Sequence, residues 1–274
     1  MRRAAGNIWR RISVRTEEPG SGWIYFAATG MGRNHLSFQA TEFEFRQRFW
    51  IIGGIFWAGF GLYTVDHTNA AIALGLRILG PGANPDSPEL ARIVTGIFLA
   101  GTAVLVLAAL VRSWAEAYLH SAVVHDMDLH SERLVADGPY RHLRNPLYLG
   151  NILLGLGMGP MASRSGFFVM TIGMTVFAYR LVLHEEAKLL ASQGEGYRRY
   201  FDAVPRLWPS LRARVPSGGG KPNWLDGFTG EIFFWSFALG EGVFALTLQA
   251  KYFYIIIGVG FAIYFLQGYL RKKK

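Results

Sequence analysis

The chain has 274 residues, enough for one large domain or two small ones. Hydrophobic residues make up 51% and charged residues only 17%, a low charge content for a soluble protein. There is no cysteine, which excludes disulfides, thiolate zinc sites and a thiol nucleophile.

Residues 1–48 read as a polar arm with eight Lys or Arg, among them Arg2, Arg3, Arg10, Arg11 and Arg15. No apolar run follows the early arginines, so a signal peptide is not expected. Ile8, Trp9 and Ile12 against Arg10 and Arg11 fit a short amphipathic helix lying on anionic lipid, and a solvated arm fits equally well. Six apolar segments follow, at Phe49–Val65, Ile93–Val111, Leu147–Ala162, Phe167–Leu183, Ile232–Leu248 and Tyr252–Leu270. A span needs roughly 20 apolar residues, with a lower limit near 17. Flanking Trp50, Tyr63, Trp235, Tyr252 and Tyr269 extend the shorter segments into the interface. One such segment could be a soluble core helix, but six at this density predict an all-α polytopic membrane protein with about six transmembrane helices.

The basic residues test that arrangement. With the N-terminus in the cytosol, 23 of the 28 Lys and Arg fall on cytosolic parts. The outer loops hold only Arg77, Arg164 and Lys251. The asymmetry predicts that both termini are cytosolic. It also accounts for the net charge of +9, so no nucleic-acid partner is expected. The predicted organisation is a cytosolic arm at 1–48, a membrane core at 49–214, and a linker with a C-terminal transmembrane hairpin at 215–274. The linker is the Gly-rich run from Pro216 to Pro222.

The most informative stretch is Asp137 to Gly150. Gly138-Pro139 signals a turn. Asn145 suits an N-cap and Pro146 the first helical position. The helix start presents free N–H groups and positive dipole to an anionic ligand group. Spans three and four, joined through Ser163, Arg164 and Ser165, must form a hairpin. That hairpin brings Arg144 and Asn145 towards Arg180, Glu185 and Glu186. Gly150, Gly155, Gly157 and Gly159 allow close helix approach. Glu241 falls in the middle of span five, where a carboxylate needs a partner, water or a proton.

Leu134, Val135, Gly138, Tyr140, Arg144, Pro146, Tyr148 and Gly150, followed by Glu185, Glu186, Gly194, Tyr197, Val204 and Pro205, resemble the signature of integral-membrane methyltransferases. These are the isoprenylcysteine carboxyl methyltransferase and phospholipid methyltransferase group. The resemblance covers about Arg112 to Pro209. It departs at Asn145, where the family has His, and at Glu132, where a member has His. The resemblance implies S-adenosylmethionine as cofactor, held among cytosolic helix ends and loops. It implies a pocket of His125, Glu132, Leu134, Val135, Tyr140, Arg144, Asn145, Pro146, Leu147, Tyr148 and Glu185. Arg180 and Glu186 are the candidate catalytic residues, and the family's substrate-binding Arg aligns at Leu181, next to Arg180. No metal is expected. The implied partners are membrane lipids and a lipid-like acceptor, foremost a carboxylate. Phospholipid N-methylation and an NADPH-dependent reductase of related pattern are the alternatives.

Overall fold

The computed structural model describes residues 38–129 and 136–271, with side chains at 38–119 and 136–271. Residues Gln39–Lys274 form one compact unit. Among the described residues the secondary structure is helical, and an isolated bridge between Asn69 and Ser163 replaces any strand. The all-α expectation holds to that extent.

The elements follow from local sequence. Thr41 caps the short α1 (Glu42–Arg46) by a capping box with Glu44, which satisfies two orphan N–H groups. α2 is Arg48–Gly61 and continues as a single turn to Thr64. Asn69 caps α3 (Ala70–Leu79) through Ala71 and Ile72. α4 runs from Pro88 to Leu129, and α5 from Pro146 to Met158. α6 runs from Arg164 to Ala203 with Ser163 as its cap and non-helical backbone at Gly194. α7 (Trp224–Gly230), α8 (Ile232–Thr247) and α9 (Ala250–Arg271) complete the chain. The six apolar segments therefore correspond to α2, α4, α5, α6, α8 and α9. α3 lies in a stretch read as an outer loop. Its apolar run is only ten residues, too short to stand out in a search for spans.

Among the described residues three helices are long and apolar enough to cross a membrane: Pro88–Leu119, Arg164–Ala203 and Ala250–Leu270. α4 has 42 residues and α6 has 40, about twice what a bilayer core requires. α4 packs against α3, α5, α7 and α8, α6 against α2 and α5, and α9 against α8. One core joins five of these helices through Leu105 and Ala109, Leu154 and Met158, Met170, Phe234 and Phe253.

The expected close approaches through glycine are present. A Cβ on Gly155 would overlap Met174, and one on Gly157 would overlap Leu105. On α4 a Cβ at Gly101 would overlap a carboxyl oxygen of Glu241 and the Gly157 carbonyl. Glu241 is fully buried there. Neither of its carboxyl oxygens has a hydrogen-bond partner among the described residues. By contrast, nothing lies near a Cβ built on Gly96. Gly101→Ala should destabilise the protein by about 1–3 kcal/mol through overpacking, despite the better helix propensity of Ala. Gly96→Ala should be neutral or stabilising by up to about 1 kcal/mol. Thermal melts of both variants in detergent check this, and equal melting points would remove Gly101 from the helix contact.

Candidate functional site at the start of α5

Asp137 to Asn145 folds as a short 3-10 turn at Gly138–Arg141 followed by an irregular turn into α5. Gly138 adopts φ +57, which L side chains rarely adopt, and Tyr118 leaves no room for a Cβ there. Pro146 stands at the first helical position, as the sequence predicts. Asn145 stands at the N-cap position but does not cap the helix. Its amide nitrogen donates instead to Glu186 Oε1 at 3.0 Å and to the Arg206 carbonyl at 3.1 Å. A bond to a buried carboxylate is charge-assisted, and it aims the side chain inward.

Glu186 is the centre of this end of the bundle. It is 2% exposed. Arg144 Nε meets Oε1 at 2.9 Å and Arg206 Nε meets Oε2 at 2.8 Å. The Arg144 guanidinium also donates to the carbonyls of Phe201 and Val204 and lies 3.9 Å from the centre of the Phe201 ring. Arg206 Nη1 donates to the Tyr179 hydroxyl at 2.9 Å. The approach of Arg144 and Asn145 to the acidic pair, read from the hairpin, thus resolves onto Glu186.

Glu185 points to a different group. It is half-buried and lies close to the Tyr148 phenol. Tyr140 is buried, and its carbonyl accepts from the Tyr200 hydroxyl at 2.9 Å. Burial pushes the Tyr140 phenol up, and the charges of Glu116 and Glu185 push it further, so it stays protonated. Tyr140, Tyr148, Glu185 and Glu116 therefore share one electrostatic neighbourhood near the open start of α5. Pro146 is buried and Leu147 half-buried there, the Leu147 carbonyl accepting from Arg112 at 3.0 Å. Glu132, Leu134 and Val135, and the side chain of His125, lie outside the described residues.

Arg180 does not join this group. It pairs with Glu44 of α1 at 2.7 Å. The Thr41 backbone N–H and the Arg180 guanidinium hold the Glu44 carboxyl below its ordinary value. Arg141 Nε donates to the Val215 carbonyl and His142 Nδ1 contacts the Ser210 carbonyl at 2.8 Å. These contacts tie the 205–215 segment to the turn. Asp137 pins the Gly-rich linker by accepting from Ser217, Gly218 and Gly220.

Two charged groups of this end of the bundle have no motif to mark them in the sequence. Arg206 reads in sequence as one more basic residue of the segment after α6, yet it closes the Glu186 network. Arg112 makes a bidentate pair with Glu231 at 2.7 and 2.8 Å and donates to Asn151 at 3.0 Å. The signal was available: Arg112 and Glu231 each border an apolar span, and such charges usually need a partner. Glu186→Gln leaves Arg144 and Arg206 without their counter-charge. It should cost about 3–5 kcal/mol, read as a lower melting point and loss of the tie between α5 and the segment after α6. A variant that melts like the parent would show that the network is dispensable.

Residues 93–193 match the family model described as phospholipid methyltransferase. No curated protein and no solved structure matches the chain. The match runs from the first turns of α4 to the residue before Gly194, and it contains the turn, the start of α5 and the acidic pair. The resemblance carried by the motifs is borne out: over these residues the chain carries the sequence pattern of the phospholipid methyltransferase family, a membrane methyltransferase family.

Proposed function

We propose that this protein is an S-adenosylmethionine-dependent membrane methyltransferase acting on a lipid-like acceptor. The observation that carries the reading is the start of α5. Its N-terminus has no side-chain cap, and the Asn145 side chain is aimed at Glu186. It sits beside a phenol–carboxylate pair, Tyr148 and Glu185, and a second, buried phenol, Tyr140. This donor set fits a zwitterionic amino-acid end. Helix N–H groups donate to a carboxylate, and a carboxylate side chain accepts from an ammonium or from ribose hydroxyls.

When bound, S-adenosylmethionine supplies a methyl group already activated on a sulfonium. The chain's own residues then position and desolvate. Tyr140, Leu147, Tyr148 and Glu185 hold the cofactor, with His125, Glu132, Leu134 and Val135 as further contacts by resemblance. Arg144, Asn145, Pro146 and Glu186 keep the helix start in place. Arg180 reaches an acceptor only by giving up Glu44. An acceptor carboxylate would need no general base. The phospholipid description of the matching family favours a second reading, an amine headgroup, which must lose a proton. Glu185 and Glu116 are the nearby carboxylates for that role.

We also propose six spans, α2, α4, α5, α6, α8 and α9, with both termini and the site on the cytosolic side. The arm, core and C-terminal hairpin at 1–48, 49–214 and 215–274 follow from that arrangement. The distribution of Lys and Arg supports it. Cysteines placed singly at Ser87 and Ser217 should then react with impermeant reagents from opposite sides of the membrane. Reaction from one side removes the six-span arrangement.

The chemical test is titration of the purified protein in detergent. S-adenosylmethionine should bind, and NADPH should not compete. Glu185→Gln should weaken binding about ten- to a hundred-fold, the loss of one hydrogen bond to a charged group, while melting without ligand moves little. Tight NADPH binding without S-adenosylmethionine binding would transfer the assignment to a reductase. Lipid mass spectrometry of cells with and without the protein, searched for differences of one methyl, identifies the acceptor.

A further inference from the structure

A cleft lies at the other end of α6. Arg164 precedes Glu186 by 22 residues, about 33 Å along the helix, so the cleft is remote from the start of α5. Its volume is about 360 Å³, within the range of small-molecule sites. Ala73 and Leu74 of α3, Ile97 of α4, Pro160, and Phe167 and Phe168 of α6 supply its apolar walls. Arg77 and Arg164 are its two charged lining residues.

The walls are fixed before any ligand arrives. The Asn69 side chain caps α3 with one end, and with the other donates to the Tyr63 hydroxyl at 2.8 Å and the Pro160 carbonyl at 3.1 Å. Ala70 N–H donates to the Ala162 carbonyl and Arg164 N–H to the Thr68 carbonyl. α3 is therefore clamped across the α5–α6 turn, and the cleft keeps its shape.

The charges differ in what holds them. Arg164 is bridged to Asp66, with Nη2 to Oδ1 at 3.1 Å, so that pair is neutral. Arg77 is exposed and forms no ion pair among the described residues. The cleft thus carries one net positive charge beside an apolar slot. Of its apolar walls, Leu74 and Phe168 are exposed.

We propose that this cleft binds one anionic phospholipid, with an acyl chain between α3 and α6 and the phosphate on Arg77 and Arg164. An amphiphile matches both features, since the apolar walls take hydrocarbon and the guanidiniums take a phosphodiester with paired N–H donors. A free anion would leave the apolar slot empty, and a neutral lipid would leave Arg77 without a counter-charge. The site rests on the chain lying in a membrane but not on methyl transfer, and its distance from Glu185 separates it from the acceptor.

The test is native mass spectrometry of the full chain in neutral detergent, titrated with phosphatidylglycerol or phosphatidylcholine of identical acyl chains. The parent should hold one phosphatidylglycerol in preference to phosphatidylcholine. Arg77→Gln should reduce that preference about tenfold, the low end for a charge-assisted hydrogen bond. Ala73→Phe, which fills the slot, should weaken both lipids. Arg212→Gln, in the segment next to His142, should leave the preference intact. Equal binding of the two lipids by the parent overturns the proposal. So does a preference that survives Arg77→Gln, one equally sensitive to Arg212→Gln, or binding that Ala73→Phe leaves untouched. Melting of each variant by circular dichroism separates loss of the site from loss of the fold.

Discussion

The carboxylate of Glu186 is the constraint on which the site end depends. A carboxylate moved out of water costs several kcal/mol even after relaxation, and only excellent geometry offsets this. Here the geometry uses two guanidiniums and an amide on two oxygens. Those donors come from the turn before α5 and from the segment after α6, while the acceptor sits within α6. Satisfying one buried charge therefore fixes three pieces of chain relative to one another. Arg144 extends the constraint by donating to the carbonyls of Phe201 and Val204, at the end of the helix that follows Gly194.

A second pair does the same for the C-terminal hairpin. Arg112 on α4 meets Glu231 in two parallel hydrogen bonds just before α8 begins. The same guanidinium donates to Leu147 and Asn151 of α5 and lies 4.2 Å from the centre of the Phe234 ring. Gly150 has no room for a Cβ because the Arg112 stem passes over it. The start of α8 thus shares a charge network with α5, although the family match ends at residue 193.

Much of this was legible in sequence, for identifiable reasons. Apolar length located the six segments, because helices in lipid must satisfy every backbone group within themselves. Pro146 located the start of α5, because its fixed φ and missing N–H act within one turn. The hairpin placed Arg144 near Glu186 because a short connection leaves two helices little choice. What was not legible depended on choosing among partners. Both Glu185 and Glu186 carry the motif, and nothing in the residue order says that one turns to Arg144 and its neighbour to Tyr148. A helix turns each successive residue by about 100°, so adjacent carboxylates must face different groups. Arg180 went to Glu44 because the capping box of α1 presents that carboxylate beside it, a contact made across 136 residues.

Asn145 shows how the buried charge and the open helix start are linked. The family pattern has His at this position, and Asn gives one amide group to the same corner. Had that group capped α5, it would have satisfied the N–H groups that an anionic ligand needs. Turned to Glu186, it leaves them without a side-chain partner. The cost of an uncapped helix start is about 0.5–2 kcal/mol. The bond of the Asn145 amide nitrogen to a buried carboxylate contributes roughly 1.5–3 kcal/mol at the same residue. The link between them is orientation: Asn69 caps α3 with its amide oxygen while its nitrogen donates elsewhere, whereas Asn145, aimed at Glu186 and the Arg206 carbonyl, makes no such bond to the start of α5.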